Sequence, residues 1–291
     1  MNATVPGQVW EPSGQRMQVG GTVLRVARTG DGPPLLLLNG IGAPIEMWGP
    51  VVSRFPGRTL VMFDVPGVGK SPPVFRPMRM SGYARLTVGL LDRLGIDRAD
   101  VLGYSWGGAL AQQLAHQAPD RVGSLVLGAT MPGVGGQAPS PWVAALMATP
   151  ARYYSERYLE FSAPHIFGGP TFGSPGSSAV DARRALPPTN RGYLGQLYAI
   201  SGWSSRPWLR AIRSRTLVVA GTNDPLVRPR NARILAAAIP GARLHMVDGG
   251  HLFLLENPAS PCRVIESFLS GEPVGKPGDR RRRPRPEPSR G

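Results

Sequence analysis

Short, continuous apolar runs recur along the chain, separated by longer stretches in which apolar residues return every three or four positions. Leu35-Leu36-Leu37-Leu38, Leu60-Val61-Met62-Phe63, Asp100-Val101-Leu102, Ser124-Leu125-Val126-Leu127, Thr216-Leu217-Val218-Val219 and Leu244-His245-Met246-Val247 read as strands buried on both faces. Residues 82–94, 107–117, 231–238 and 260–269 carry helical spacing. Ahead of them, residues 16–19 and 22–28 flank Gly20-Gly21, which predicts an opening hairpin. Strands alternating with helices mean parallel strands joined by crossover helices, so the expected fold is a doubly wound, mostly parallel α/β sheet.

The rhythm breaks between residues 131 and 210, where Pro and Gly punctuate the chain and no buried strand is evident. Eleven of the 21 aromatic residues fall there, Trp142, Tyr153, Tyr193 and Trp203 among them. An insertion of this length is usually functional. It is expected to be a mainly helical, aromatic-rich lid over an apolar cleft, with Trp142 and Trp203 as substrate contacts; a small satellite core is the plainer alternative. The chain then divides into an N-terminal extension (1–15), a first core part (16–130), the lid (131–210), a second core part (211–270) and a basic tail (271–291).

Composition narrows the class. A chain of 291 residues with 42% hydrophobic and 18% charged residues can fill one hydrophobic core. No apolar run approaches the roughly 20 residues that a bilayer-spanning helix needs. The N-terminus has neither a basic segment nor an apolar block, so no secretory signal is read and a cytoplasmic protein is expected. The single cysteine, Cys262, can form no internal disulfide.

The formal charge of +15 invites a nucleic-acid reading. Two features weaken it. Lys70 and Lys276 are the only lysines, and the abundance of Gly, Pro, Ala and Arg is that of a GC-rich genome. Part of the charge also lies in the Pro-interrupted tail around Arg280-Arg281-Arg282-Arg283, where packing is not expected. A solvated run is the preferred reading of that tail, an adhesive arm for an anionic surface the alternative. No specific nucleic-acid partner is expected, and no pattern sets an oligomeric state.

The candidate chemistry centres on Gly103-Tyr104-Ser105-Trp106-Gly107. With 38 glycines, the chain supplies roughly 0.3 such G-x-S-x-G matches by chance, so context must decide. Ser105 stands between a predicted strand and a predicted helix, the setting of a nucleophilic serine on a strained turn. The glycines two positions to either side allow strand and helix to approach closely.

A serine hydroxyl needs a base. Of four histidines, His116 lies about three helical turns, roughly 16 Å, from Ser105, His165 lies in the lid, and His245 lies within a strand. His251 follows the last strand in VDGGHLF, at the strand-end edge where such sheets bind ligands. Asp224, just past the strand at residues 216–220, is the expected orienting acid; Asp248, three residues before His251, reads as a turn cap. The order Ser105, Asp224, His251 is that of an α/β-hydrolase triad. The expected oxyanion donors are the backbone N–H groups of Trp106 and of Ile41 in Asn39-Gly40-Ile41-Gly42. FDVPGVGKS mimics a phosphate loop, but Asp64 occupies the position of that motif's first glycine. No dinucleotide fingerprint or metal-ligand spacing occurs, so a reaction without cofactor is expected.

NGIGAPIEMW, FDVPGVGKSP, GYSWGGALAQQLAH, ATPARYY, GWSSRPWL, AGTNDPL and DGGHLFLLENP together resemble the intracellular medium-chain-length poly(3-hydroxyalkanoate) depolymerases of the α/β-hydrolase superfamily, over roughly residues 16–269. The resemblance implies ester hydrolysis through Ser105, Asp224 and His251, on an aliphatic polyester stored in cytoplasmic granules. A carboxylesterase, thioesterase or perhydrolase acting on small acyl esters is the alternative within enzymes. A non-catalytic granule-surface protein is the alternative outside them.

Overall fold

The computed structural model describes residues 12–168, 182 and 185–271, so the N-terminal extension (apart from its last residues) and the basic tail lie outside the described residues, as does Phe172 of the aromatic group. Among the described residues, eight strands form a single sheet: β1 (Gly14–Val19), β2 (Thr22–Thr29), β3 (Pro34–Leu38), β4 (Thr59–Phe63), β5 (Ala99–Tyr104), β6 (Val122–Gly128), β7 (Thr216–Gly221) and β8 (Arg243–Val247). Their spatial order is β1-β2-β4-β3-β5-β6-β7-β8. The predicted hairpin pairs Val19 with Thr22, and positive φ at Gly20 and Gly21 (53° and 81°) gives the tight turn. β2 pairs antiparallel with β4, and every pairing from β4 onward is parallel.

The described helices are α1 (Gly49–Val52), α2 (Met80–Arg93), α3 (Trp106–Gln117), α4 (Pro141–Met147), α5 (Ala151–Tyr154), α6 (Glu156–Phe167), α7 (Asn190–Ile200), α8 (Arg230–Ala238), α9 (Phe253–Glu256) and α10 (Ala259–Leu269). The period-two geometry of a strand splits each apolar run between two cores. Leu36, Leu38, Val61, Val101, Leu125, Leu127 and Val218 face α2, α3 and α8. Leu35, Leu37, Leu60, Met62, Leu102, Val126 and Leu217 face α1, α9 and α10. Each fully buried Leu or Val contributes about 1.5–3 kcal/mol, which is why these runs sit centrally.

One expectation is corrected. β8 is the sheet's edge: Arg243 and Leu244 are exposed, so this run is not buried on both faces. The described part of the segment between β6 and β7 carries helices α4 to α7, and its aromatics divide between surface and interior. Trp142, Tyr154, Phe161 and Tyr198 are 41–56% exposed, while Tyr153, Phe167 and Tyr193 are buried. Side-chain hydroxyls begin three of its helices. Ser140 accepts from the Val143 N–H, Ser155 from Tyr158 and Thr189 from Gly192, each filling an N-terminal donor vacancy.

Candidate active site

Ser105 is the single residue between β5 and α3. Its φ of 54° and ψ of −117° place a non-glycine residue in a strained conformation. Neighbours impose it. The Ser105 N–H donates to the Gly128 carbonyl (2.8 Å), and the Thr130 hydroxyl donates to the Ser105 carbonyl (2.8 Å). The approach of strand and helix is as close as the sequence requires: a Cβ at Gly103 would lie 2.4 Å from the Gly107 carbonyl oxygen, and one at Gly107 would lie 2.1 Å from that of Leu38.

His251 Nε2 lies 3.1 Å from Ser105 Oγ, and its Nδ1 lies 2.7 Å from Asp224 Oδ2. Asp224 Oδ1 accepts from the backbone N–H groups of Leu226 (2.9 Å) and Val227 (2.8 Å). With one carboxylate oxygen tied to backbone and the other to Nδ1, an Nδ1–H tautomer leaves Nε2 free to accept from the Ser105 hydroxyl. Asp224 and His251 are each 3% exposed. Asp248 instead lies on the exposed turn, 3.4–3.5 Å from Thr222 Oγ1 and Asn223 Nδ2. The other histidines stand away from Ser105's cavities: His116 stacks on Trp208, His165 meets Trp142 and Phe161, and burial lowers the pKa of His245 on β8.

The loop after β3 abuts the serine, with a Cβ at Gly40 falling 3.5 Å from Ser105 Cβ. Trp106, the first residue of α3, has no helical carbonyl four positions back to accept its N–H. Ile41 and Trp106 both border the space beside Ser105.

The chain matches the family described as alpha/beta hydrolase fold over residues 33–258. It is 42% identical, over 82% of its length and 85% of the relative's, to a poly(3-hydroxyalkanoate) depolymerase of Ectopseudomonas oleovorans. The chain belongs to the α/β-hydrolase family. Among solved structures, an enol-lactonase of Burkholderia xenovorans LB400 superposes with a TM-score of 0.77 at 26% identity, covering 88% of this chain and all of the other. A hydrolase of Pseudomonas aeruginosa PA01 superposes with a TM-score of 0.75 at 29% identity, covering 88% and 98%.

In this α/β-hydrolase, Ser105 stands where two cavities meet. One, of about 360 Å³, is lined by Ile41, Trp106, Met131, Met147, Leu197 and Leu226 and is almost wholly apolar. The other, of about 30 Å³, is shared with His251, Arg152 and Tyr153. Neither Trp142 nor Trp203 lines them. Trp142 is half exposed and packs its ring edge on Phe161 and His165. Trp203 packs beside Trp208 and donates its Nε1–H to Gln113 of α3 (2.8 Å). Bulky aromatics alone gave no face for either residue; aliphatic side chains of α4 and α7 take the cavity wall instead.

Sequence reading also missed the residues that hold the site in place. The buried Tyr104 hydroxyl donates to the His251 carbonyl, and the His251 N–H donates to the Phe167 carbonyl at the end of α6 (2.5 Å). Gln196 of α7, fully buried, accepts from the Gly42 N–H (2.8 Å), and its backbone carbonyl accepts from Trp106 Nε1 (3.0 Å). Asp64, in the loop that mimics a phosphate motif, accepts from the Ile45 and Lys70 N–H groups and faces Arg25. Tyr104 occupies a variable position of its motif, and Gln196 lies more than 150 residues from Gly42, so only tertiary structure brings these pairs together.

Proposed function

We propose that the chain is a serine ester hydrolase acting on an aliphatic poly(3-hydroxyalkanoate). Supporting the mechanism above all is the Ser105–His251–Asp224 hydrogen-bonded chain on a strained strand-to-helix turn. The Ser105 hydroxyl attacks the ester carbonyl as His251 Nε2 takes its proton, and Asp224 stabilises the imidazolium. Backbone N–H groups of Ile41 and Trp106 receive the developing oxyanion. His251 then protonates the departing alkoxide, and a water deprotonated by His251 releases the acyl group from Ser105.

The substrate class rests on the 42% identical depolymerase and on the aliphatic cavity of about 360 Å³ beside Ser105, suited to a medium-length alkyl side chain. Phe75, Leu194 and Tyr198, exposed along an outer groove of about 540 Å³, offer apolar surface to a polymer granule in the cytoplasm. Among the described residues, no helix is long and apolar enough to cross a membrane.

Wild-type protein is expected to react with a fluorophosphonate probe and to release 3-hydroxy acids from medium-chain polyester. Ser105→Ala is expected to lose both, with kcat down by at least about 10⁴-fold. Labelling that survives Ser105→Ala would refute the mechanism. Turnover confined to short p-nitrophenyl esters would make the protein a small-ester hydrolase instead.

A further inference from the structure

Three arginines are buried among the described residues: Arg25, Arg58 and Arg152. Arg25 pairs with Glu46 and Asp64, and Arg58 pairs with Asp100 and Glu266. Arg152, on α5 and only 2% exposed, has no carboxylate within 4.0 Å among the described residues. Its Nη1 donates to the Tyr193 hydroxyl (2.8 Å) and the Thr149 carbonyl (3.3 Å), while its Nε has no partner. The guanidinium carbon lies 4.7 and 5.0 Å from the ring centroids of Tyr153 and Tyr193. Rings and neutral acceptors soften the burial of a cation without neutralising it; buried charges ordinarily have an ionic partner.

The place where that partner is missing is specific. Arg152 lines the cavity of about 30 Å³ that also contains Ser105 and His251. That volume admits a group about as large as one water. It is too small for an alkyl chain but takes a carboxylate oxygen, and since Nη1 is engaged by Tyr193 and Thr149, the paired hydrogen bonds of a guanidinium to a carboxylate fall to Nε and Nη2.

Resting on the ester-hydrolase reading above, we propose that Arg152 receives the free carboxylate of the terminal 3-hydroxy acid unit. The enzyme then works from the carboxylate end of the chain. In such a unit the carboxylate is only a few bonds from the scissile ester oxygen, so both can lie beside Ser105 while the side chain occupies the apolar cavity. Ser105 Oγ bonds to the carbonyl carbon of the penultimate unit, and the bond from that carbon to the terminal unit's oxygen breaks. His251 passes the serine's proton to this oxygen, and a 3-hydroxy acid leaves from Arg152. Water then hydrolyses the acyl-serine and exposes a new terminal carboxylate.

The test compares a 3-hydroxydecanoate dimer bearing a free carboxylate with the same dimer capped as its methyl ester. Wild type is expected to favour the acid by about tenfold or more in kcat/KM, and Arg152→Met to bring that ratio near one, with Arg152→Lys between them. Equal rates on the two dimers in wild type overturn the proposal while leaving the ester-hydrolase reading intact. A second measurement needs no turnover: Ser105→Ala protein is expected to bind 3-hydroxydecanoate about tenfold or more tighter than its methyl ester. Equal affinities there overturn the carboxylate site independently. Absence of Ser105-dependent hydrolysis of either dimer and of any p-nitrophenyl ester counts against the hydrolase reading itself.

Discussion

At position 105 the backbone holds a serine in a conformation that glycine adopts at far lower cost. Ser105→Gly removes both the strain and the hydroxyl. The variant is therefore expected to abolish ester turnover while stabilising the fold by about 1 kcal/mol, a rise in Tm of roughly 2–4 °C by calorimetry. A fall in Tm would mean that the hydrogen bond to His251 outweighs the strain. That Ser105, Asp224 and His251 lie together, as their hydrogen bonds show, was legible in the sequence because each follows an apolar run. Tyr104, Gln196 and Arg152 were not, because what defines them is a partner, or the lack of one, across 40 or more residues of chain.

At the scale of elements, the strands were legible almost to the residue, since parallel strands buried on two faces leave continuous apolar runs. The edge strand β8 has the same apolar look but only one neighbour, and its exposure follows from sheet order, which no local pattern encodes. The insertion's helices lacked a comparable signal. Their aromatics divide between surface and core, and the capping hydroxyls of Ser140, Ser155 and Thr189 were the better clue. Between elements, Asp64 ties the loop after β4 to Arg25 on β2 and to the start of the Ile45–Trp48 turn. Burial pushes its carboxyl up to about 6 from 3.8, against the backbone donors and Arg25 that favour its ionised form. Between those values the unfolded chain has lost a proton that the folded chain keeps. Unfolding then releases a proton, so this contribution to stability falls as pH rises from about 4 to 6 and is flat above. Asp64→Asn does not titrate. The unfolding free energy of wild type minus that of the variant is expected to drop by up to about 3 kcal/mol over this window in urea titrations. A rise over the same window would show that Arg25 and the backbone donors dominate.

For the molecule as a whole, the division into a core and an insertion that the sequence leads one to expect is crossed by buried and half-buried contacts. Gly42 with Gln196, Ile41 with Tyr153, Gly67 with Thr189 and His251 with Phe167 join the two parts by hydrogen bonds. Both parts are accordingly expected to unfold in one cooperative transition, with coincident far-ultraviolet circular dichroism and tryptophan fluorescence curves. An earlier fluorescence transition would mark the insertion as an independent unit. The strained turn at the centre of this body also bears on heredity. Glycine is a single nucleotide change from some serine codons, and selection for a stable fold alone favours that change. A lineage with no use for the hydroxyl would soon shed it, so each generation that retains Ser105 does so against the pull of its own stability.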